Sequence, residues 1–471
     1  MASLSARGRD AASANGTTLL WEVLKNLWHP DDNPSGFVSL AMAENALMHA
    51  RLLPRLLQDF EPTPHMLTYG DGTTGSNRLK SVLSAFLTRK LRPLLELEAA
   101  HITVTNGCCS ALEQLAWAIA DPGEAFLLGK PYFRAFVTTL GGRMHVDTAA
   151  VSFGDVDPFG PGAVGKYEEA LLEAREKGQR IKGVILCNPH NPLGRCYPRE
   201  TIVGLMKLCQ KYQIHLVSDE IYALSVWGPG ERFHSCLSID TAGVIDPSLV
   251  HIVWGTSKDF GANGLRVGAV ISQHNPDLHA AVGFSSIHSS AASIAQESVA
   301  NILQDTTWVD AYITDNHLKL SEHFSLVAEW AKSSGVPVAP GSNAAFFVWV
   351  DLGTAYRVRH PKVPAEDAFA LLSKALLSQK VLLAAGEQFG AEEPGWFRLV
   401  YSLSRQDLNE GLHRISLALE HGTATGIKGN DSVIASNHYL HPVYVIPPPR
   451  QWLFLAGTRD RPSHQRMLSV G

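Results

Sequence analysis

At 471 residues and 45% hydrophobic composition the chain is long enough to bury an enzyme-sized core, and its 18% charged fraction argues against extended disorder. A formal charge of -5, from 40 Lys+Arg against 45 Asp+Glu, leaves no global electrostatic footprint for nucleic acid or anionic lipid. Six cysteines, Cys108, Cys109, Cys187, Cys196, Cys209 and Cys236, form no repeated CxxC pair, so no metal site is expected and a reduced, cytoplasmic chain is.

Residues 1–17 are small and Arg-containing without an apolar core, and read as a flexible leader. No run of 18 apolar residues occurs anywhere, which excludes a membrane-spanning helix from the expectation. The stretch AMAENALMHARLLPRLLQDF at 41–60 combines helix formers with an apolar face, and Pro54 is expected to interrupt it. After the turn-rich YGDGTTG at 69–75, Leu79, Val82, Leu83, Phe86 and Leu87 recur at helical spacing.

From about residue 101, short β-rich runs alternate with helical ones: HITVTNG, AFLLG, GVILC, IHLVSDEIY and HIVWG. That rhythm predicts an α/β fold, a large domain with a mostly parallel sheet covered by helices. Helices at roughly 288–333 lead out of it, and WFRLVYS at 396–402 belongs to a smaller α/β domain. The expected organisation is 18–65 and 326–421 as the two parts of the small domain, 66–325 as the large domain, and 422–471 as a loosely structured tail.

In such sheets, ligand-binding residues gather where strands end. Three apolar runs end in polar clusters: GVILC in NPHNPLG with Asn191, LVS in DEIYA with Asp219 and Tyr222, and HIVW in GTSKDFGANGLRVG with Lys258. A lone lysine beside an aspartate is ordinarily surface charge. Pyridoxal 5'-phosphate, however, would use all of these residue types. Its aldehyde joins a lysine amine, an Asp at the pyridine nitrogen keeps that nitrogen protonated, and Asn and Tyr side chains orient the ring hydroxyl.

AENAL at 43–47, NPHNPLG at 188–194, DEIYA at 219–223 and SKDFGANGLRVG at 257–268 occur in the order found in class I/II aminotransferases. The chain resembles that fold type I, pyridoxal-phosphate-dependent family over about 30–420, and in particular its 1-aminocyclopropane-1-carboxylate synthase-like branch. The resemblance makes Lys258 the Schiff-base lysine, Asp219 the partner of the pyridine nitrogen, and Asn191 and Tyr222 the partners of the ring hydroxyl. Arg266 binds the cofactor phosphate, with the competing reading of a surface or inter-domain ion pair.

The same resemblance places the amides of Gly107, Cys108 and Cys109 against the phosphate, where a helix start favours an anion. It stacks Phe133 on the pyridine face beside Tyr132, against the alternative of a core aromatic. Arg398 takes the carboxylate of an α-amino acid substrate, against the alternative of a buried ion pair. Tyr69 reaches the phosphate of a second copy, implying a homodimer, and Glu44 approaches the substrate or is a helix-surface charge.

Two positions depart from the family pattern. Gly255 stands where a phosphate-binding serine is frequent, with Thr256 or a backbone amide as the substitute donor, and YGDGTTG lacks the YHGL pattern of cyclopropane-forming members. The expected function is transformation of an α-amino acid by an aminotransferase or carbon–sulfur lyase. The alternatives are cyclopropane formation from S-adenosylmethionine and a non-catalytic binding or regulatory protein on the same fold.

Overall fold

A computed structural model describes residues 4–14, 19–58 and 60–421. The expected tail at 422–471 lies outside the described residues. The leader reading needs correction, because Ala6–Ala14 is an α-helix. Its sequence, ARGRDAASA, is rich in Ala and Arg, whose side chains lose little freedom in a helix.

Seven strands form the central sheet, in the order Ile102–Asn106, Val267–Ile271, Val250–Gly255, His215–Asp219, Ile181–Cys187, Ala125–Gly129 and Asp147–Val151. All neighbours are parallel except Val267–Ile271, which runs antiparallel to both of its partners. The reason is chain length. Only residues 256–266 separate it from Val250–Gly255, too few for a helical crossover, so the chain returns as a hairpin.

Side-chain alternation builds a core on each face of this sheet. Leu127, Val184, Leu186, Leu216, Ile252 and Trp254 contribute to one, and Phe126, Leu128, Ile185, Val217, Val253 and Val270 to the other. Burying each of these large apolar side chains contributes about 1.5–3 kcal/mol. The helices Asn77–Leu91 and Arg199–Tyr212 supply the first core, whereas Cys108–Ile119 and Ala135–Met144 supply the second.

The second core continues into the smaller sheet, where Ala384–Ala385, Trp396–Val400 and Phe347–Asp351 pair antiparallel. Val38–Ser39 pairs with Val381–Leu382, tying the early chain to the late one. The stretch at 41–60 differs from the expected helix: helix starts only at His49 and runs through Pro54 to Leu57. Pro54 lies inside this short helix, where it removes one donor while its carbonyl still accepts from the Gln58 N–H. The carbonyls of Ala41, Ala43 and Glu44 are taken by side chains from elsewhere, so those residues do not join the helix.

Candidate active site

Hairpin register places the site. Gly255 sits opposite Gly268, while Asn106 sits opposite Val267 in the neighbouring strand pair. Lys258 and Arg266 therefore occupy one loop, beside the turn from Ile102–Asn106 into the helix Cys108–Ile119. Asp219 ends its strand, in register with Cys187 on one side and Val253 on the other.

Three glycines let these pieces approach. A Cβ on Gly268 would stand 2.6 Å from Gly107 C and 2.7 Å from Cys108 N. Gly107, at φ 80, begins the helix without a side-chain cap, which leaves first-turn N–H groups open to an anion. The Arg266 guanidinium lies over Gly107 where a Cβ would be, and donates to the Asn106 carbonyl at 3.2 Å and the Asn263 carbonyl at 3.1 Å. Those neutral partners leave its charge uncompensated among the described residues. The ion-pair alternative for Arg266 has no carboxylate partner among the described residues.

Gly255 has a physical reason to be glycine. A Cβ there would stand 2.8 Å from both Cys108 Sγ and Val267 O, so a serine does not fit without movement of the backbone. Nor does Thr256 present its hydroxyl in place of the missing serine, since Oγ1 donates to Val267 O at 3.4 Å. Cys108 is buried, which raises its thiol pKa well above the ordinary value; Cys109 is exposed as a residue, but desolvation of its thiol outweighs the Arg266 charge and raises it too, which argues against either as a nucleophile.

Burial drives the site's ionisable groups toward neutrality. Lys258 falls to about 8, chiefly through desolvation and then the Arg398 charge, with Cys109, Glu44 and Cys108 opposing. Asp219 rises to about 7 through desolvation, opposed by the Ile221 N–H and by Lys258. Asp219 feels the Lys258 charge, and Cys108 feels Asp219, Lys258 and Arg266 together. Lys258 Nζ donates to Ala43 O at 2.6 Å.

Arg398 is 4% exposed and has no carboxylate partner among the described residues, which leaves the buried ion-pair alternative without support. Its Nη1 donates to Asn191 Oδ1 at 3.0 Å, its Nη2 to Ala41 O at 2.7 Å, and its buried Nε has no partner. The rings of Phe347 and Phe389 lie 5.3 and 4.9 Å from the guanidinium. Tyr222 is buried edge-on against Phe346 and Phe347, and its charge is coupled to Arg398.

Phe133 and Tyr132 line a cavity whose wall includes Cys187, His190 and Asn191. Phe133 also packs edge-on against Phe136 at 5.6 Å, so it is both cavity wall and core edge. Glu44 is exposed and lies outside a helix, and its charge reaches Lys258. Tyr69 is 95% exposed on its own chain.

Sequence reading missed three participants. Asp259 anchors the lysine turn, its carboxylate accepting from Leu224 N–H, the Ser225 hydroxyl and the Trp254 indole. The Ala41 and Ala43 carbonyls are invisible as side-chain signals. Asn191, expected at a ring hydroxyl, also holds Arg398 across 207 positions of sequence.

The residues fit pyridoxal phosphate. An uncapped helix start and Arg266 suit a phosphate, the buried Asp219 suits a protonated ring nitrogen, and Lys258 suits an aldehyde. The orphaned Arg398 Nε, deep in the site, calls for a carboxylate.

Residues 40–415 match the family described as aminotransferase class I and II. Among similar proteins is the mouse "Probable inactive 1-aminocyclopropane-1-carboxylate synthase-like protein 2", 32% identical over 82% of this chain and 66% of that one. The chain thus spans just under two thirds of that relative's length. Another is the Aspergillus fumigatus "Probable aminotransferase gliI", 32% identical over 80% of this chain and 88% of that one. An archaeal alanine:glyoxylate aminotransferase shares the fold at a TM-score of 0.72 and 20% identity, over 88% of this chain and 97% of that one. The fold is that of the fold type I aminotransferases. The chain belongs to the class I and II aminotransferase family, and has 1-aminocyclopropane-1-carboxylate synthase-like proteins among its relatives.

Proposed function

We propose that the protein is a pyridoxal-phosphate-dependent enzyme acting on an α-amino acid, as an aminotransferase or a carbon–sulfur lyase. The observation that carries this reading is the placement of Lys258 and Asp219 at the ends of adjacent paired strands, both shifted toward neutrality by burial, with Asp219 feeling the Lys258 charge. When bound, the cofactor supplies an aldehyde for an amine and an electron-accepting ring that stores charge from the substrate Cα.

Arg398 binds the substrate carboxylate through Nε and the Nη groups, with Asn191 orienting the guanidinium. Lys258, once neutral, takes a proton from Cα at Nζ and delivers it elsewhere. Its pKa of about 8 makes an appreciable neutral fraction available near physiological pH. Asp219 keeps its charge when a cation faces it, and so holds a proton on the ring nitrogen. Arg266 and the amides of Gly107, Cys108 and Cys109 anchor the phosphate, with Tyr222 and Asn191 beside the ring hydroxyl. Phe133 covers the ring face, and Thr256 contributes through its backbone.

A homodimer completes this reading, with the exposed Tyr69 turned toward the phosphate of a second copy and Glu44 close to the substrate. Six unpaired cysteines favour a cytoplasmic setting, and no described helix is long and apolar enough to cross a membrane.

The name of the fungal relative favours the aminotransferase, whereas that of the mouse relative favours the other outcomes, a 1-aminocyclopropane-1-carboxylate synthase or an inactive protein on the same fold. Purified protein is scanned for the visible absorbance of lysine-bound cofactor, then incubated with amino acids, oxo acids and S-adenosylmethionine. Amino exchange that depends on an oxo acid selects the aminotransferase, and ammonia or thiol release selects the lyase. No bound cofactor in wild type would overturn the enzyme reading.

A further inference from the structure

Two carbonyls of one short segment hold the two cations of the site. Lys258 Nζ donates to Ala43 O at 2.6 Å, and Arg398 Nη2 donates to Ala41 O at 2.7 Å. Glu44 O accepts from the Ser402 hydroxyl at 2.5 Å, while Ala46 N–H donates back to Ser402 O at 2.9 Å. Residues 41–46 therefore form a strap from the three-stranded sheet to the lysine hairpin.

Asn45 sits in the middle of that strap with no exposure, and Asn316, on the helix Thr306–Ser333, is equally buried. Asn45 Nδ2 donates to Asn316 Oδ1 at 2.9 Å, and Asn45 Oδ1 accepts from Leu47 N–H at 3.2 Å. On the other side, Gly261 of the lysine hairpin approaches so closely that its Cβ would overlap Asn45 O. His49 Nε2, at the start of the helix that follows the strap, is 3.0 Å from Gly261 O and ties the same stretch of chain to the hairpin.

The pair is poor as a device for stability alone. Asn316 Nδ2 is buried without a partner, and an unsatisfied amide costs more than an apolar contact of the same volume. It is well placed for geometry, since it pins one strap between the helix and the hairpin.

We infer that Asn45 and Asn316 are positioning residues, whose buried amide pair fixes the strap so that its carbonyls set the Lys258 amine and the Arg398 guanidinium relative to each other. This rests on the proposed roles of Lys258 and Arg398. Neither asparagine touches substrate or cofactor. Because one segment holds both cations, loosening it disturbs both at once, whereas independent contacts would fail separately.

The charged and titratable groups acting on Lys258 are Arg398, Glu44, Cys108 and Cys109, with Asp219 facing it from the adjacent strand end. Desolvation outweighs them, so water admitted by a loosened strap moves the amine upward in pH.

The test compares Asn45→Ala, Asn316→Ala and the double variant with wild type. Lys258 is labelled with pyridoxal phosphate across a pH series, trapped with borohydride and mapped by mass spectrometry, and KM is measured for an accepted amino acid. In each variant the labelling midpoint should rise from about 8 toward 10.5, and KM should rise by about tenfold. The double variant should add little to either single one.

A lower melting temperature with both readouts unchanged, or a shift in only one, would overturn the inference. Where an alanine variant does not fold, Asn45→Ser and Asn316→Ser decide by the same criteria. If wild type shows no turnover, the proposed activity fails. The labelling midpoint, which needs only the amine, then decides the inference alone.

Discussion

The two ends of the central sheet both bury titratable groups, and they treat them in opposite ways. At one end His215 Nδ1 meets His251 Nε2 at 2.9 Å, and His251 Nδ1 meets the Ser272 hydroxyl at 3.0 Å. His279 continues the chain, with Nε2 2.9 Å from Ser272 O and Nδ1 2.8 Å from the Thr103 hydroxyl. Every member has a partner inside the fold, and burial keeps His215 and His251 neutral, at about 4 and 3. At the other end Asp219, Lys258 and Arg398 are shifted by burial, Asp219 feels Lys258 and Lys258 feels Arg398 without an ion pair among them, and a guanidinium donor is left orphaned. Buried polarity that satisfies itself builds a protein, whereas buried polarity left short of partners is arranged around something else.

That contrast is broken most directly at Lys258. Lys258→Ala should abolish lysine-bound cofactor absorbance and lower turnover by about 10,000-fold, while the His215 end and the fold stay intact by circular dichroism. Retained absorbance would mean that another amine does the work.

Arg398→Ala should raise KM about 100-fold, equivalent to ~2.7 kcal/mol of a charge-assisted hydrogen bond, with cofactor content unchanged. Loss of cofactor with an unaltered KM would reassign that arginine. Asp219→Asn should lower turnover by roughly 100-fold with the substrate KM preserved, as measured by steady-state kinetics.

The pH dependence of Lys258 separates it from surface lysines. Only the neutral amine attacks an aldehyde, so its rate of reaction with pyridoxal phosphate should climb with pH and level off above about 8. A climb continuing to the ordinary 10.5 would show an amine that is not desolvated.

The smallest effect belongs to the paired end. His251→Phe should lower stability by ~1–3 kcal/mol near neutral pH, through the partners it strands, and leave KM and turnover alone. It should also remove one source of acid sensitivity. His251 has a folded pKa of about 3 against an ordinary 6.5, so between those values the unfolded chain binds the extra proton. Its contribution to stability is present above 6.5 and lost as pH falls toward 3. The difference between wild-type and variant denaturation curves should therefore shrink over that window. Unequal kinetics at neutral pH would mean that the two ends are coupled.

Much of this arrangement was legible where the relevant residues are neighbours in sequence. The apolar runs GVILC and HIVW placed strands, and strand ends placed Asn191, Asp219 and Lys258 at one end of the sheet. The short spacing from Lys258 to Arg266 implied a return toward the same place, which the hairpin register produces.

Long-range backbone contacts were not legible. AMAENAL at 41–47 reads as helix by propensity, yet Lys258, Arg398 and Ser402 claim its carbonyls from far away in the chain. Thr256 looked like a substitute for the missing serine until its hydroxyl was found on Val267 O. Gly255 looked like a loss until Cys108 Sγ was found against it. Each miss involves an acceptor or a volume supplied by a residue that no local pattern announces.

The account depends most on a single amine at 258 facing a cofactor whose far edge meets Asp219. Borohydride reduction of the cofactor-loaded protein, followed by digestion and peptide mapping, tests it most directly. The account predicts one pyridoxyl group per chain, carried by the peptide containing Lys258 and lost in Lys258→Ala. A label spread over surface lysines, or confined to a different one, would contradict it.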